Sequence, residues 1–367
     1  MTDRDDTRGP FVRVTSTRGP RVLPEETWGP RVAHPKVVVA PDKFKGSLTA
    51  PRVAAAVARG LREAVPDLDV RLHPVADGGD GTVDAAVAAG FVKAGRWVTG
   101  PLGKPVPASF AVRGTTAVVE VASAAGLALL ERPAPLDATS HGVGELLKAA
   151  LDSGCTTIVL GLGGSACTDG GAGMLEALGT TSFEGVDLVL ASDVDNPLLG
   201  PSGAAAVYGP QKGATPEQVE VLEARLAAFA QRVGPEHAAR PGAGAAGGIG
   251  FAALAVLGAR FRPGIDVVLE LTGFAEAVAG ASLVVTGEGS LDAQTRHGKA
   301  PYGVVRASGD VPVVAVAGQC SVEPGDLGLK AVYALLDVEP DVTRCLARPE
   351  PLLHVIGGRI AREWMSE

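Results

Sequence analysis

Residues 156–173 read TTIVLGLGGSACTDGGAG. The first five form a short β-branched, apolar run. The rest is a glycine-dense loop, and helical spacing follows from Met174 to Leu178. An apolar run that ends in glycines and then turns helical is the repeating unit of a buried parallel sheet. The same order recurs along the chain. Residues 36–40 (KVVVA), 70–75, 118–121, 186–191, 283–286, 313–317 and 332–336 are further strand candidates. Helical spacing covers 48–63, resumes from about Val83, and is clearest from Pro216 to Arg232. There Thr215 stands at N-cap, Pro216 at N1 and Gln218 at N3, the pattern of a capping box. The expectation is an α/β fold with a parallel sheet covered by helices on both faces.

Composition narrows the class. The chain has 367 residues, enough for two domains. Lys and Arg total 33 against 41 Asp and Glu, a formal charge of −8, which argues against nucleic acid as the partner. Glycine numbers 49 and aromatics are 4%, so the core is built from Ala, Val, Leu and Ile, and turns are tight. No apolar run reaches the ~18 residues of a membrane helix, and the acidic N-terminus has no signal-peptide core. Cys155, Cys167, Cys320 and Cys345 form no CxxC pair, which disfavours zinc or a disulfide framework. A cytoplasmic protein without membrane partners is expected. Residues 1–35 repeat Gly-Pro and develop no apolar period, and they read as a disordered or mis-started leader.

In parallel sheets ligands bind beyond the carboxyl ends of strands, and here those ends are polar. Pro41-Asp42-Lys43-Phe44-Lys45-Gly46-Ser47 leaves the first strand with an acid, two lysines and a hydroxyl. Ser47 reads equally as a helix cap or a phosphate contact. Asp77-Gly78-Gly79-Asp80-Gly81-Thr82 spaces two acids with little bulk between them, suited to Mg²⁺ or a substrate hydroxyl, or to a helix cap. The loop from Gly161 to Gly173 offers backbone N–H groups for an anion. Ser192-Asp193-Val194-Asp195-Asn196-Pro197 follows a strand and supplies a metal ligand or a general base. Tyr208-Gly209-Pro210-Gln211-Lys212-Gly213 is a loop with one lysine. Residues 241–250 (PGAGAAGGIG) carry no titratable group and serve either backbone approach to a ligand or close helix packing. Finally Thr286-Gly287-Glu288-Gly289-Ser290-Leu291-Asp292 runs on to Gln294, Thr295, Gly298 and Lys299. No histidine spacing suggests a protease or hydrolase set. Acids, lysines and glycine loops without a His base suit Mg²⁺-dependent phosphoryl transfer.

Seven segments in order carry a resemblance: APDKFKGSLT from Ala40, VADGGDGT from Val75, GLGGSACTDGGAGM from Gly161, ASDVDNP from Ala191, YGPQKGA from Tyr208, GAGAAGGIG from Gly242 and TGEGSLDAQTRHGKAP from Thr286. From Lys36 to the C-terminus the chain resembles the bacterial glycerate kinases that phosphorylate D-glycerate with ATP. The resemblance implies two α/β domains. One is flavodoxin- or Rossmann-like, built from 36–80 and 281–367. The other, 81–280, is inserted into it, with the active site in the interdomain cleft. It implies ATP and Mg²⁺ as cofactors, small-molecule partners only, and a monomer or homodimer. By the same resemblance Asp42, Lys45, Asp193 and Lys299 are candidate catalytic residues. Ser47, Asp77, Asp195, Asn196 and Asp292 are candidates for substrate. Gly163, Gly164, Ser165, Asp169, Gly287, Glu288 and Gly289 are candidates for the nucleotide, and Asp80 and Asp193 for the metal. Phosphorylation at the 2-hydroxyl is the favoured outcome. The chain departs from the family pattern in its leader and in a short stretch between Met174 and Ala191.

Two other readings stand beside this one. Gly161, Gly163 and Ala166 satisfy G-x-G-x-x-A, the fingerprint of a dinucleotide-dependent oxidoreductase, with Glu184 or Asp187 as the ribose acid. The shortened stretch also fits a small-acid-binding protein that has lost turnover.

Overall fold

The valine-rich runs become strands of two sheets. The computed structural model describes residues 34–296 and 299–365, so the leader expected over 1–35 lies almost wholly outside the described residues. Gly298 does as well. The strands are β1 (Lys36–Pro41), β2 (Asp69–Leu72), β3 (Val92–Thr99), β4 (Pro105–Arg113), β5 (Thr116–Glu120), β6 (Thr157–Gly161), β7 (Asp187–Ala191), β8 (Arg260–Arg262), β9 (Leu283–Leu291), β10 (Val313–Cys320) and β11 (Ala331–Ala334).

One sheet has five strands in the order β11-β10-β9-β1-β2, and every pair in it is parallel. Val37, Val39, Val285, Val314 and Val316 face one helical layer, and Val38, Val284, Val313 and Ala315 face the other. That is why these strands read as continuous apolar runs. The helices Ala50–Ala64 and Pro349–Trp364 cross closely on the first face. Gly60 permits the contact, because a Cβ there would lie 2.0 Å from the carbonyl of His354.

The second sheet has six strands in sequential order from β3 to β8. Strands β5 to β8 are parallel, as expected, but β3 and β4 form an antiparallel extension. Sequence reading missed this hairpin because Lys93, Gly95, Arg96, Pro105 and Pro107 break any apolar run. The two prolines lie on the part of β4 that pairs only with β3, where a missing donor costs nothing. β8, three residues long, was also missed.

Local signals fared unevenly. The Thr215 capping box forms as expected, with Thr215 Oγ1 and Gln218 Oε1 exchanging backbone donors. Ser47 does not cap the first helix; Thr49 holds that position and Ser47 Oγ donates to the Phe44 carbonyl. The helix Thr82–Ala88 is capped neither by Asp80 nor by Thr82. Glu120, at the end of β5, accepts from the Val83 N–H instead. β2 ends at Leu72, one residue before His73, whose Nε2 meets Thr272 Oγ1 at 2.8 Å.

The glycine-rich segment at 241–250 serves packing at most of its positions. A Cβ on Gly244 would strike the Pro197 carbonyl, and one on Gly250 the Gly242 carbonyl, each within about 2.2 Å. Only Ala246 and Gly247 reach the cleft described next.

Candidate active site

The positions of the acids follow from two registers. In the six-stranded sheet Glu120, Gly161 and Ala191 stand side by side at the carboxyl ends of β5, β6 and β7. In the five-stranded sheet the chain goes from β1 to β2 on one side, while β9 pairs with β1 on the other. Connections therefore diverge from the ends of β1 and β9, where an open α/β sheet leaves a crevice. The Asp42 N–H donates to the Gly287 carbonyl at 2.8 Å and ties those two ends together. The loops from both sheets line one cleft of about 1090 Å³.

Asp42, Lys43, Lys45, Ser47, Glu288 and Gly289 enter from the five-stranded side. Gly163, Gly164, Ser165 and Asp193 enter from the six-stranded side, and Asp77 and Asp80 come from the crossing between them. Glycines allow this convergence. A Cβ on Gly163 would lie 2.5 Å from Gly79 Cα, and one on Gly264 would lie 2.0 Å from the Asp77 carbonyl.

The electrostatics are unusual for a surface cleft. Asp42 is buried, and desolvation pushes its pKa to about 7, with Asp77 and Glu288 adding to the rise against Lys43. Asp193 is pushed to about 8 by burial and by the charge of Asp77. Its Oδ1 accepts from the Gly264 N–H at 2.8 Å, at the start of the helix Gly264–Thr272, while its Oδ2 is buried without a hydrogen-bond partner. Glu120 is likewise raised to about 7 by burial. Lys43 sits among these acids. Burial lowers its ammonium, but Asp42, Asp77, Asp80 and Glu120 together hold it above the ordinary lysine range. Its Nζ also donates to the Asp80 carbonyl. Across the mouth, Lys299 lies 3.5 Å from Glu288 and 3.3 Å from Asp292, and Thr295 Oγ1 donates to Glu288.

Of the residues singled out from sequence, five are placed away from the cleft wall. Asp169 is turned into the fold, where its oxygens accept from the N–H groups of Ser140, Gly171 and Gly173 and from Ser140 Oγ. Asp195 is exposed and does not line the cleft. Asn196 is held by Tyr208 and by the Ser202 carbonyl. Gly287 packs its α-carbon against Val316. Asp292 does not line the cleft, but its Oδ1 accepts from Lys299 at 3.3 Å.

Two cleft residues were missed, Lys43 and Lys212, along with Glu120, a buried acid within reach of the Lys43 charge that does not line the cleft. Lys43 and Lys212 stood in motifs already noted, but a lysine beside an acid or in a loop carries no distinguishing signal. Glu120 stands in no motif at all. Lys212 is buried, and its Nζ donates to Ser165 Oγ at 2.8 Å and to the Cys167 carbonyl.

Two earlier alternatives lose their footing here. The loop after Gly161 runs ten residues before the helix Ala172–Leu178 begins, so Ala166 does not open a helix as a dinucleotide fingerprint needs. Asp187 stands at the amino end of β7 and pairs with Arg260 at 2.7 Å. The short stretch after Met174 closes at that same end, because the connection from Leu178 enters β7 at Asp187. None of its residues lines the cleft. It borders a smaller groove of about 480 Å³ whose only titratable wall residue is Glu184.

Fold and site thus define an α/β enzyme with a cleft of acids and lysines between two sheets, the furnishing of a phosphoryl-transfer enzyme. The glycerate kinase family model matches residues 37–184 and 180–365, and the chain belongs to that family. It is 43% identical to the glycerate kinase of Bacillus subtilis (strain 168), in an alignment covering 83% of this chain and 90% of that one. It is 40% identical to the glycerate 2-kinase of Escherichia coli (strain K12), covering 82% and 90%. A crystal structure presented as a glycerate kinase 2 from Salmonella typhimurium LT2 superposes with a TM-score of 0.76 at 37% identity, covering 90% of this chain and 98% of that chain. Among the described residues no helix is long and apolar enough to cross a membrane.

Proposed function

We propose that this chain transfers the γ-phosphoryl group of ATP to a hydroxyl of D-glycerate and releases phosphoglycerate. The observation that carries the mechanism is the Asp193 carboxylate. Asp193 lines the cleft; one of its oxygens is fixed by Gly264, and the other is buried with no hydrogen-bond partner. Such an oxygen accepts the proton of the attacking hydroxyl, and a pKa raised toward neutrality suits that task. Lys43, Lys45 and Lys299 surround the opposite wall and neutralise the transferring phosphates. The apolar end of the cleft at Leu335, Leu336, Val342 and Leu346 suits the nucleotide base.

Mg²⁺ fits the donors present. Asp77 and Asp80 offer carboxylates beside Asp42 and Asp193, whose pKa values are raised first by burial and further by the charge of Asp77. Among the described residues no three acids, histidines or cysteines converge as a resident metal site. One or two carboxylates plus nucleotide phosphates are the usual Mg²⁺ arrangement. When bound, the ion would screen the phosphate charge; holding it falls to Asp77 and Asp80. The 2-hydroxyl is the favoured acceptor, in keeping with the name of the Escherichia coli relative. We place the enzyme in the cytoplasm as a monomer or homodimer without nucleic-acid partners. The domain division at about residues 80 and 280 belongs to the same reading.

An ADP-release assay with D-glycerate and Mg-ATP tests the proposal, with the product position read by NMR. Release of ADP with a 2-phosphoglycerate product is expected. Absence of D-glycerate-dependent ADP release overturns it.

A further inference from the structure

Lys212 is a buried lysine with no ion-pair partner among the described residues, and burial lowers its pKa. It closes the turn Pro210–Lys212, with Gly213 beyond it at φ 88°, and its side chain is 3% exposed. Its Nζ spends two donors on neutral acceptors, Ser165 Oγ at 2.8 Å and the Cys167 carbonyl. Among the described residues neither of its hydrogen bonds goes to a carboxylate. Asp169 is near enough to be felt, but its oxygens are committed to the N–H groups and hydroxyls around Ser140 and Gly171. A buried ammonium without a counter-ion is costly and is retained where something else supplies the anion.

Lys212 and Ser165 both line the cleft, on the same wall as Ser192 and Asp193. Ser165 accepts the lysine proton, so its own hydroxyl proton is left to point elsewhere. One cation and one hydroxyl donor, side by side and deep, match a single carboxylate. A polyphosphate needs several cations, and Lys43, Lys45 and Lys299 stand on the opposite wall.

We infer that Lys212, with Ser165, binds the carboxylate of the hydroxy-acid acceptor and so makes the enzyme select an acid over an uncharged polyol. The inference rests on the glycerate kinase reading above. It places the carboxylate at Lys212 and the hydroxyls toward Asp193, so that acid and reacting group are held from one wall.

Steady-state kinetics of the full chain test it, with D-glycerate, glycerol and ATP varied separately. Wild type must turn over D-glycerate; if it does not, the reading of function fails, whatever Lys212 does. In Lys212→Met the KM for D-glycerate should rise about 10- to 100-fold, the range for losing a charged hydrogen bond. The KM for ATP should stay within about threefold, as expected for a group that does not touch the nucleotide. The preference for D-glycerate over glycerol should shrink by the same factor. A rise confined to the ATP KM assigns Lys212 to the nucleotide and overturns the inference. Unchanged constants for both substrates in a folded variant overturn it as well. Should Lys212→Met fail to fold, Ser165→Ala takes its place. It should raise the D-glycerate KM alone, and an unchanged or ATP-only response from it counts against the inference.

Discussion

The N–H of Gly264 holds Asp193 Oδ1 at 2.8 Å and leaves Oδ2 of the same carboxylate buried without a partner. The two residues are 71 positions apart, so the contact is a product of the fold and not of any local motif. Asp193→Asn keeps the shape and the acceptor oxygen for Gly264 but removes the proton acceptor. kcat should fall by roughly 10²–10⁴, with the far-UV circular dichroism spectrum unchanged. Activity near wild type would exclude Asp193 as the base.

Gly264 itself is a second test of the same contact. A Cβ there would lie 2.0 Å from the Asp77 carbonyl and 3.0 Å from Gly78 Cα. Gly264→Ala must push the Asp77–Asp80 loop away or move the helix start that anchors Asp193. A destabilisation of about 1–3 kcal/mol is expected from the overpacking, together with a lower kcat. Urea unfolding and initial rates measure the two effects separately.

The raised carboxylates give stability a defined pH dependence. Asp42 titrates near 7 and Asp193 near 8 in the folded chain, against an ordinary value of 3.8. Between 3.8 and those values the native state holds protons that the unfolded chain has released. The stabilisation is therefore full below pH 3.8 and is lost as pH rises through 7 to 8. Melting temperature without nucleotide or divalent cation should fall across that window from this cause. Asp42→Asn and Asp193→Asn should flatten the slope, and so should Mg²⁺ if it binds there. A slope identical in both variants would count against the burial of these charges.

The capping box offers a test remote from chemistry. Thr215→Ala removes the acceptor for the Gln218 N–H at the start of the helix Pro216–Val233. The cost should be about 1 kcal/mol in urea unfolding, with KM and kcat unchanged because neither residue reaches the cleft.

How much of this was visible beforehand depended on where the information lay. The parallel strands were legible because both faces of Val37–Val39 and of Val284–Val285 are covered, so the apolar run is unbroken. The β3–β4 hairpin was not, because Trp97 and Val92 are exposed on an edge and Pro105 interrupts the pattern. That Asp42, Asp77, Asp193 and Glu288 line the cleft was legible because each follows a strand end into glycine or a turn. Asp169 turns into the fold instead of the cleft, a placement no local pattern gives, since a capping acid and a ligand-binding acid look alike in a glycine loop. Glu120 and Lys212 owe their importance to partners 37 and 47 residues away, which no local pattern encodes.

The pairing of β1 with β9 has a consequence for biosynthesis. Val37 lies against Leu283, so the five-stranded sheet lacks its central ladder until the chain is nearly complete. Every strand of the other sheet has been made by Arg262. The six-stranded sheet is thus free to gather its core on the ribosome, while the valine edge of β1 waits uncovered for more than 240 residues. A stalled or truncated chain would carry that edge bare, a ready template for association with other chains.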